Sequence, residues 1–305
     1  MRRVMIALVI LAALLAPLEV YPVFLAKALC FGLFACAFNL LIGYAGLLSF
    51  GHAAFFGGAA YVAAHAAKEW GVPPLAAVAL GAVAATLLGA VFGGLAIRRQ
   101  GIYFAMITLA LAQMVFFLAV QLPFTHGEDG IQAVPRGTLF GFVSLDDNMS
   151  MYYFVLAIFS IGLAVIYRTI HSPFGQVLKA IRENEPRAIS LGYRVDRYKL
   201  AAFVMSATLA GVAGGTKAIV FQLASLTDIQ WQTSGEVILM TLLGGLGTMF
   251  GPVVGAFLVV VLENGLAESG LPVSVVTGAI FVVCVLLFRR GLVGEWIGRV
   301  RARSP

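Results

Sequence analysis

HSPFGQVLKAIRENEPRAISLGYRVDRYK, residues 171–199, is the one long, densely charged segment in an otherwise oily chain. Between Arg168 and Lys199 stand seven basic residues (Arg168, Lys179, Arg182, Arg187, Arg194, Arg197, Lys199) against three acids (Glu183, Glu185, Asp196). A charge at mid-membrane costs about 2.5–3.5 kcal/mol, so this segment belongs in water, and its basic excess points to the cytoplasmic side. Within it Phe174, Val177, Leu178 and Ile181 recur at helical spacing, with Gln176, Lys179, Arg182 and Glu183 on the other faces. Pro186 cannot continue that helix but suits the first turn of a second one, which Gly192 can end. A short helix, a bend and another short helix lying along a membrane read as a docking knob for a soluble partner. An amphipathic loop resting on anionic lipid is the other reading of the same pattern.

The rest of the chain supplies the membrane. Its 305 residues are 61% hydrophobic and 11% charged, with a mean hydropathy of +0.98. A soluble domain carries about 25% charged residues, so this is an all-α integral membrane protein with little mass outside the bilayer. The net charge of +6 follows from basic cytoplasmic loops and does not argue for nucleic acid. Cys30, Cys36 and Cys284 all lie in apolar runs and read as small buried hydrophobes, with no disulfide or metal spacing. The amino terminus, MRRVMIALVILAALLAPLEV, lacks a clean cleavage region and reads as a first span or retained signal anchor.

Apolar stretches of spanning length fall near 4–20, 22–41, 50–67, 74–97, 102–121, 151–169, 199–221, 234–246, 251–267 and 272–288. Ten crossings place both termini in the cytoplasm. Arg2 and Arg3 start inside, Arg98 and Arg99 return there, and Arg289, Arg290, Arg299, Arg301 and Arg303 end there. The loop 122–150 then lies outside, with Glu128, Asp129, Asp146 and Asp147 against Arg136. Residues 1–305 form a single transmembrane domain with a cytoplasmic loop at about 171–199 and a periplasmic loop at about 122–150.

The parity closes only if 234–267 crosses twice, and the break is supplied by Gly244, Gly245, Gly247, Gly251 and Pro252. Residues 39–58, NLLIGYAGLLSFGHAAFFGG, look alike: an apolar arm, a glycine-dense segment, then a small-residue helix. Such clusters either pack helices closely or form irregular backbone lining a polar cavity; the polar neighbours Asn39, Ser49, His52 and Thr248 favour the second. Lys27, Lys217, Glu236 and Glu263 lie within reach of span ends and read as snorkelling charges. Catalytic constellations are missing, and GVAGGTK (211–217) is no phosphate loop because Thr216 separates glycine from lysine. The chain reads as no enzyme, with no metal or cofactor of its own.

Five blocks occur in order: GYAGLLSFGHAAFFGGAAY (43–61), RRQGIYFAMITLALAQ (98–113), THGEDGI (125–131), SPFGQVLKAIRENEPRAISLGY (172–193) and GGLGTMFGPVVGA (244–256). Together with FRRGLVG (288–294) they resemble the permeases of branched-chain amino-acid ABC importers, LivM type. Glu128, Pro173 and Gln176 depart from that pattern. The resemblance implies an ABC importer permease fold in the bacterial inner membrane. It also implies a LivH-like permease partner, two cytoplasmic ATPase subunits that bind the ATP, a periplasmic amino-acid-binding protein and surrounding lipid. By that analogy Lys179, Ala180, Arg182, Glu183, Asn184, Ala188, Leu191 and Gly192 couple to the ATPase, with Arg182, Glu183 and Asn184 as polar contacts. Asn39, Ser49, His52, Tyr103, Thr108, Gln113 and Thr248 are the candidates for the translocation path. Related permeases move urea, amides or aromatic acids. An ion-coupled secondary transporter is the alternative outside this family, disfavoured because no ladder of carboxylates or histidines crosses several spans.

Overall fold

The computed structural model describes residues 13–139, 141–268, 275, 276, 278, 279, 282 and 291–295. It is a helical bundle: α1 (Pro22–Asn39), α2 (His52–Lys68), α3 (Pro74–Ala96), α4 (Ile102–Gln121), α5 (Asn148–His171), α6 (Pro173–Glu183), α7 (Glu185–Ser190), α8 (Val195–Phe221), α9 (Trp231–Gly244) and α10 (Gly251–Glu268). Eight of the ten expected spans therefore coincide with helices. The expected spans 4–20 and 272–288 lie largely outside the described residues. Among the described residues, five helices are long and apolar enough to cross a bilayer: α1 with its continuation to Ala45, then α3, α4, α5 and α8. Helix α9 has 14 residues, about 21 Å at 1.5 Å per residue, so it is shorter than a hydrocarbon core of about 30 Å.

Helix α2 is the hub. Alanine, glycine and phenylalanine fill HAAFFGGAAYVAAHAAK, and all faces of it are buried, chiefly against α8 and α3. Small residues let these backbones approach: a methyl group on Gly214 of α8 would collide with the Phe56 carbonyl. Phenylalanines fill what remains, with Phe34 stacked on Phe56 at 4.4 Å and Phe55 edge-on to Phe203 at 5.5 Å. Helix α3 shows the other boundary. Ala77, Gly81, Ala85, Gly89, Phe92 and Ala96 face the bundle, whereas Leu80, Val83, Leu87, Val91 and Leu95 form an exposed apolar stripe along its full length. Such a stripe suits lipid, not water.

The loops segregate to two ends. At one, the strand Ile131–Gln132 (β1) pairs antiparallel with Leu223–Ala224 (β4), joining loop 122–150 to the α8–α9 turn. Thr138–Leu139 (β2) and Val143–Ser144 (β3) make a hairpin beside it. Arg136 Nη2 donates to the Val220 carbonyl at 3.0 Å, and Lys68 Nζ to that of Gln132 at 2.9 Å. At the other end lie the α1–α2 and α9–α10 breaks, the α3–α4 turn and the charged bend of α6 and α7, an arrangement that keeps the expected alternation of crossings.

Three of the four charges expected to snorkel are paired within the protein. Lys217 of α8 donates to both carboxylate oxygens of Asp228 at 2.7 Å, and Lys27 of α1 lies 3.5 Å from Glu263 of α10. Pairing offsets a desolvation that a single charge would bear alone. Glu236 is half-buried near the same pair.

Candidate functional site

The bend is built from local capping. Ser172 accepts from the Gly175 amide at 3.4 Å and Pro173 opens α6; Asn184 accepts from the Arg187 amide at 3.0 Å and Pro186 opens α7; Gly192, at φ +86°, follows its end. The expected apolar face is present: Leu178 and Ile181 are buried, Phe174 stacks on Tyr198 at 5.6 Å, and Val177 packs beside Ile181, Ala188 and Val195.

Glu185, at the corner, anchors the bend. Its carboxylate accepts from Lys199 Nζ of α8 at 2.7 Å and from Gln100 Nε2 of the α3–α4 turn at 2.9 Å. Lys199 is only 3% exposed. The expectation that every charge of 171–199 lies in water is thus corrected here: one lysine enters the bundle because a carboxylate meets it there.

The two glycine breaks touch each other. Helix α1 continues as a π-helical turn over Leu40–Ala45, and Gly46 closes it with a left-handed φ of +74°. π-turns concentrate where a helix must be interrupted for function. Asn39 bridges to the second break: its Nδ2 donates to the Thr248 carbonyl at 2.8 Å, and its Oδ1 accepts from the Gly247 amide at 3.0 Å. Tyr44 Oη donates to the Gly247 carbonyl at 3.0 Å. A methyl group on Gly43 would strike both Asn39 and the Gly247 amide, so the contact needs glycine there. Asn39→Ala leaves that amide and carbonyl without partners, at about 1–3 kcal/mol each. The expected result is a lower thermal midpoint with an unchanged helical spectrum; an unaltered midpoint would show that the bridge contributes nothing.

The bend grips this junction. Arg182 Nη1 donates to the Gly43 carbonyl, and Lys179 Nζ sits 5.7 Å from the centre of the Tyr44 ring. A polar cavity of about 180 Å³ adjoins the contact, lined by Ala45, Leu47, Gln100, Arg182, Glu185 and Lys199, among others. Of the residues expected to couple to a partner, Lys179 and Arg182 reach back to Tyr44 and Gly43, although Arg182 stays exposed on its outer side. Ala188 is buried on the inner face of α7, and Asn184, itself exposed, caps that helix. Ala180, Glu183, Leu191 and Gly192 are exposed as well. Sequence reasoning missed Tyr193, which joins Ile189, 57% exposed, and Leu191, 69% exposed, in an apolar tip. Its only signal was a third large apolar residue close to those two in a charged segment.

The path candidates divide in the same way. Ser49 accepts from the Gly51 amide at 3.1 Å, and Thr108 accepts from the Phe50 amide at 3.2 Å, so both serve the break between α1 and α2. His52 is fully buried in a cage of Phe38, Phe55 and Phe203. Ser206 donates its proton to the Ala37 carbonyl at 2.5 Å, so His52 Nε2 must be the donor in its 2.9 Å bond to Ser206 Oγ. That leaves His52 Nδ1 as a buried acceptor with no partner. Gln113 is half-buried, and Tyr103 is 68% exposed on the outer flank of α4. The structure therefore brings Asn39 and Thr248 together, sets Ser49 and Thr108 beside the first break, and leaves Tyr103 apart from them.

A family model described as branched-chain amino acid transport system / permease component matches residues 22–288. The chain is 28% identical over 277 residues to the high-affinity branched-chain amino acid transport system permease protein LivM of Escherichia coli. That alignment covers 83% of this chain but 65% of the relative, so the chain spans somewhat less than two thirds of that protein's length. The ribose import permease protein RbsC of Bacillus subtilis is 29% identical over 196 residues, 59% of this chain and 58% of that one. The xylose transport system permease protein XylH of Escherichia coli is 27% identical over 180 residues, 55% of this chain and 45% of that one. No solved structure matches the chain.

Proposed function

Because the chain belongs to the branched-chain amino acid transport permease family, we propose that it is the translocating subunit of an ATP-driven importer. It lies in the bacterial inner membrane with ten spans and both termini in the cytoplasm. It carries branched-chain amino acids and pairs with a LivH-like permease, two cytoplasmic ATPase subunits that bind the ATP, and a periplasmic binding protein. The LivM relatives support the cargo, and the uneven charge of the loops supports the orientation.

The observation that carries this reading is the capped bend: an exposed apolar tip of Ile189, Leu191 and Tyr193 on a corner tied to the paired breaks. A tip fixed this way can pass a partner's motion to the spans, whereas a loop merely resting on lipid has no need of inward ties. Loop 122–150, at the opposite end, faces the binding protein. Replacing Ile189 and Leu191 together by aspartate touches neither tie and is expected to abolish co-purification of the ATPase while the thermal midpoint holds. Wild-type amounts of ATPase on the variant would place the docking surface elsewhere.

The likeness to ribose and xylose permeases favours one second reading, a pentose as cargo. Labelled leucine and labelled ribose, each offered to the reconstituted complex with its own binding protein, separate the two.

A further inference from the structure

We propose that Lys179 and Arg182 form a two-point latch that holds both glycine breaks against the bend, so that a displacement of α6 reaches α1–α2 and α9–α10 together. The two basic residues stand three apart and so share one face of α6. Lys179 lies over the Tyr44 ring, and the Tyr44 hydroxyl holds the Gly247 carbonyl at 3.0 Å. Arg182 donates to the Gly43 carbonyl, inside the π-helical turn, and its side chain runs across the face of Gly46, where an added methyl group would lie 3.1 Å from Arg182 Cγ. Asn39 locks the two breaks to each other. One short helix thereby holds two interruptions that lie about 200 residues apart, as the separations of 208 and 209 in the Asn39 contacts show.

The held segments have the geometry of hinges. A π-turn and left-handed glycines, Gly46 at φ +74° and Gly247 at φ +72°, replace the regular ladder that stiffens the helices on either side. The cavity of about 180 Å³ gives the guanidinium somewhere to go on release, with the Glu185 carboxylate on its wall. The latch can therefore exchange one polar contact for another while the guanidinium stays partly in solvent. Lys179 and Arg182 are positioning residues in this account, since neither is required to touch cargo or nucleotide.

Only the transport arm of the test rests on the permease reading above. In the full chain in nanodiscs, amide hydrogen exchange is followed over 43–51 and 244–251 for wild type, Arg182→Gln, Arg182→Lys and Tyr44→Phe. Arg182→Gln is expected to raise exchange in both segments by about tenfold, the effect of one charge-assisted hydrogen bond. Tyr44→Phe is expected to raise it mainly in 244–251, and Arg182→Lys to stay near wild type. Faster exchange in 43–51 alone, or in neither segment, overturns the latch. In the reconstituted importer, uptake per ATP hydrolysed is expected to fall about tenfold in Arg182→Gln and to recover in Arg182→Lys. An unchanged ratio means a static brace and also overturns it. If the wild-type complex shows no ATP-driven uptake, the permease reading fails, and the exchange experiment still decides the latch.

Discussion

Replacing Glu185 by alanine is expected to destabilise the protein by about 3–5 kcal/mol, lowering its thermal midpoint on the order of 10 °C. The magnitude comes from what is left behind. Lys199 Nζ is almost wholly buried and has a carboxylate at 2.7 Å; without that carboxylate it is an uncompensated charge inside a helical bundle. Gln100 loses its acceptor in the same step, so the α3–α4 turn loosens as well. A double-mutant cycle separates the pair from its surroundings. Lys199→Met in the Glu185→Ala background should recover most of the loss, because a methionine fills the lysine's space without a charge. If the double variant is as unstable as the single one, the ion pair is incidental and the loss comes from the bend itself.

Removing Asp228 should be comparably severe at the opposite end. Both its oxygens accept from Lys217 at 2.7 Å, and it also accepts from the Ser225 hydroxyl at 3.3 Å. This small network closes the turn between α8 and α9 and sets it on α2, where the backbone of Asp228 and Ile229 packs against Gly57. Asp228→Ala leaves the Lys217 side chain, 12% exposed, with the Phe221 ring near its amine but no carboxylate, at an expected cost of about 3–5 kcal/mol. Exchanging the two residues, Lys217→Asp with Asp228→Lys, should restore part of the stability that each single change removes. Thermal unfolding of the four proteins measures this, and simple additivity of the two single losses would exclude a specific pair.

The bend was the most legible part of the chain. Ser172-Pro173, Asn184-Glu185-Pro186 and Gly192 are local signals for starting, breaking and ending short helices, and each does that job. The helices of the bundle were legible for a similar reason: long apolar runs have few other ways to satisfy their backbone in lipid. The inward ties were hidden, because their partners are remote. Nothing near Arg182 in the chain points to Gly43, 139 residues away, and nothing near Glu185 points to Gln100. Without that partner in view, Lys199 reads in the sequence as one more wet charge. Tyr103 illustrates a second limit. On a helix that is apolar all round, hydrophobicity does not reveal which face meets the bundle, and Tyr103 turned out to face away from it. The likeness between the two glycine segments was visible; that they touch through Asn39 was not.

The central claim is that the capped bend is a cytoplasmic handle. Its most direct measurement places a single cysteine at Ser190, on the exposed side of α7, in a chain whose Cys30, Cys36 and Cys284 are alanine. A membrane-impermeant maleimide is then applied to right-side-out and to inside-out vesicles. Labelling confined to inside-out vesicles is the predicted result, and labelling of right-side-out vesicles would contradict the account.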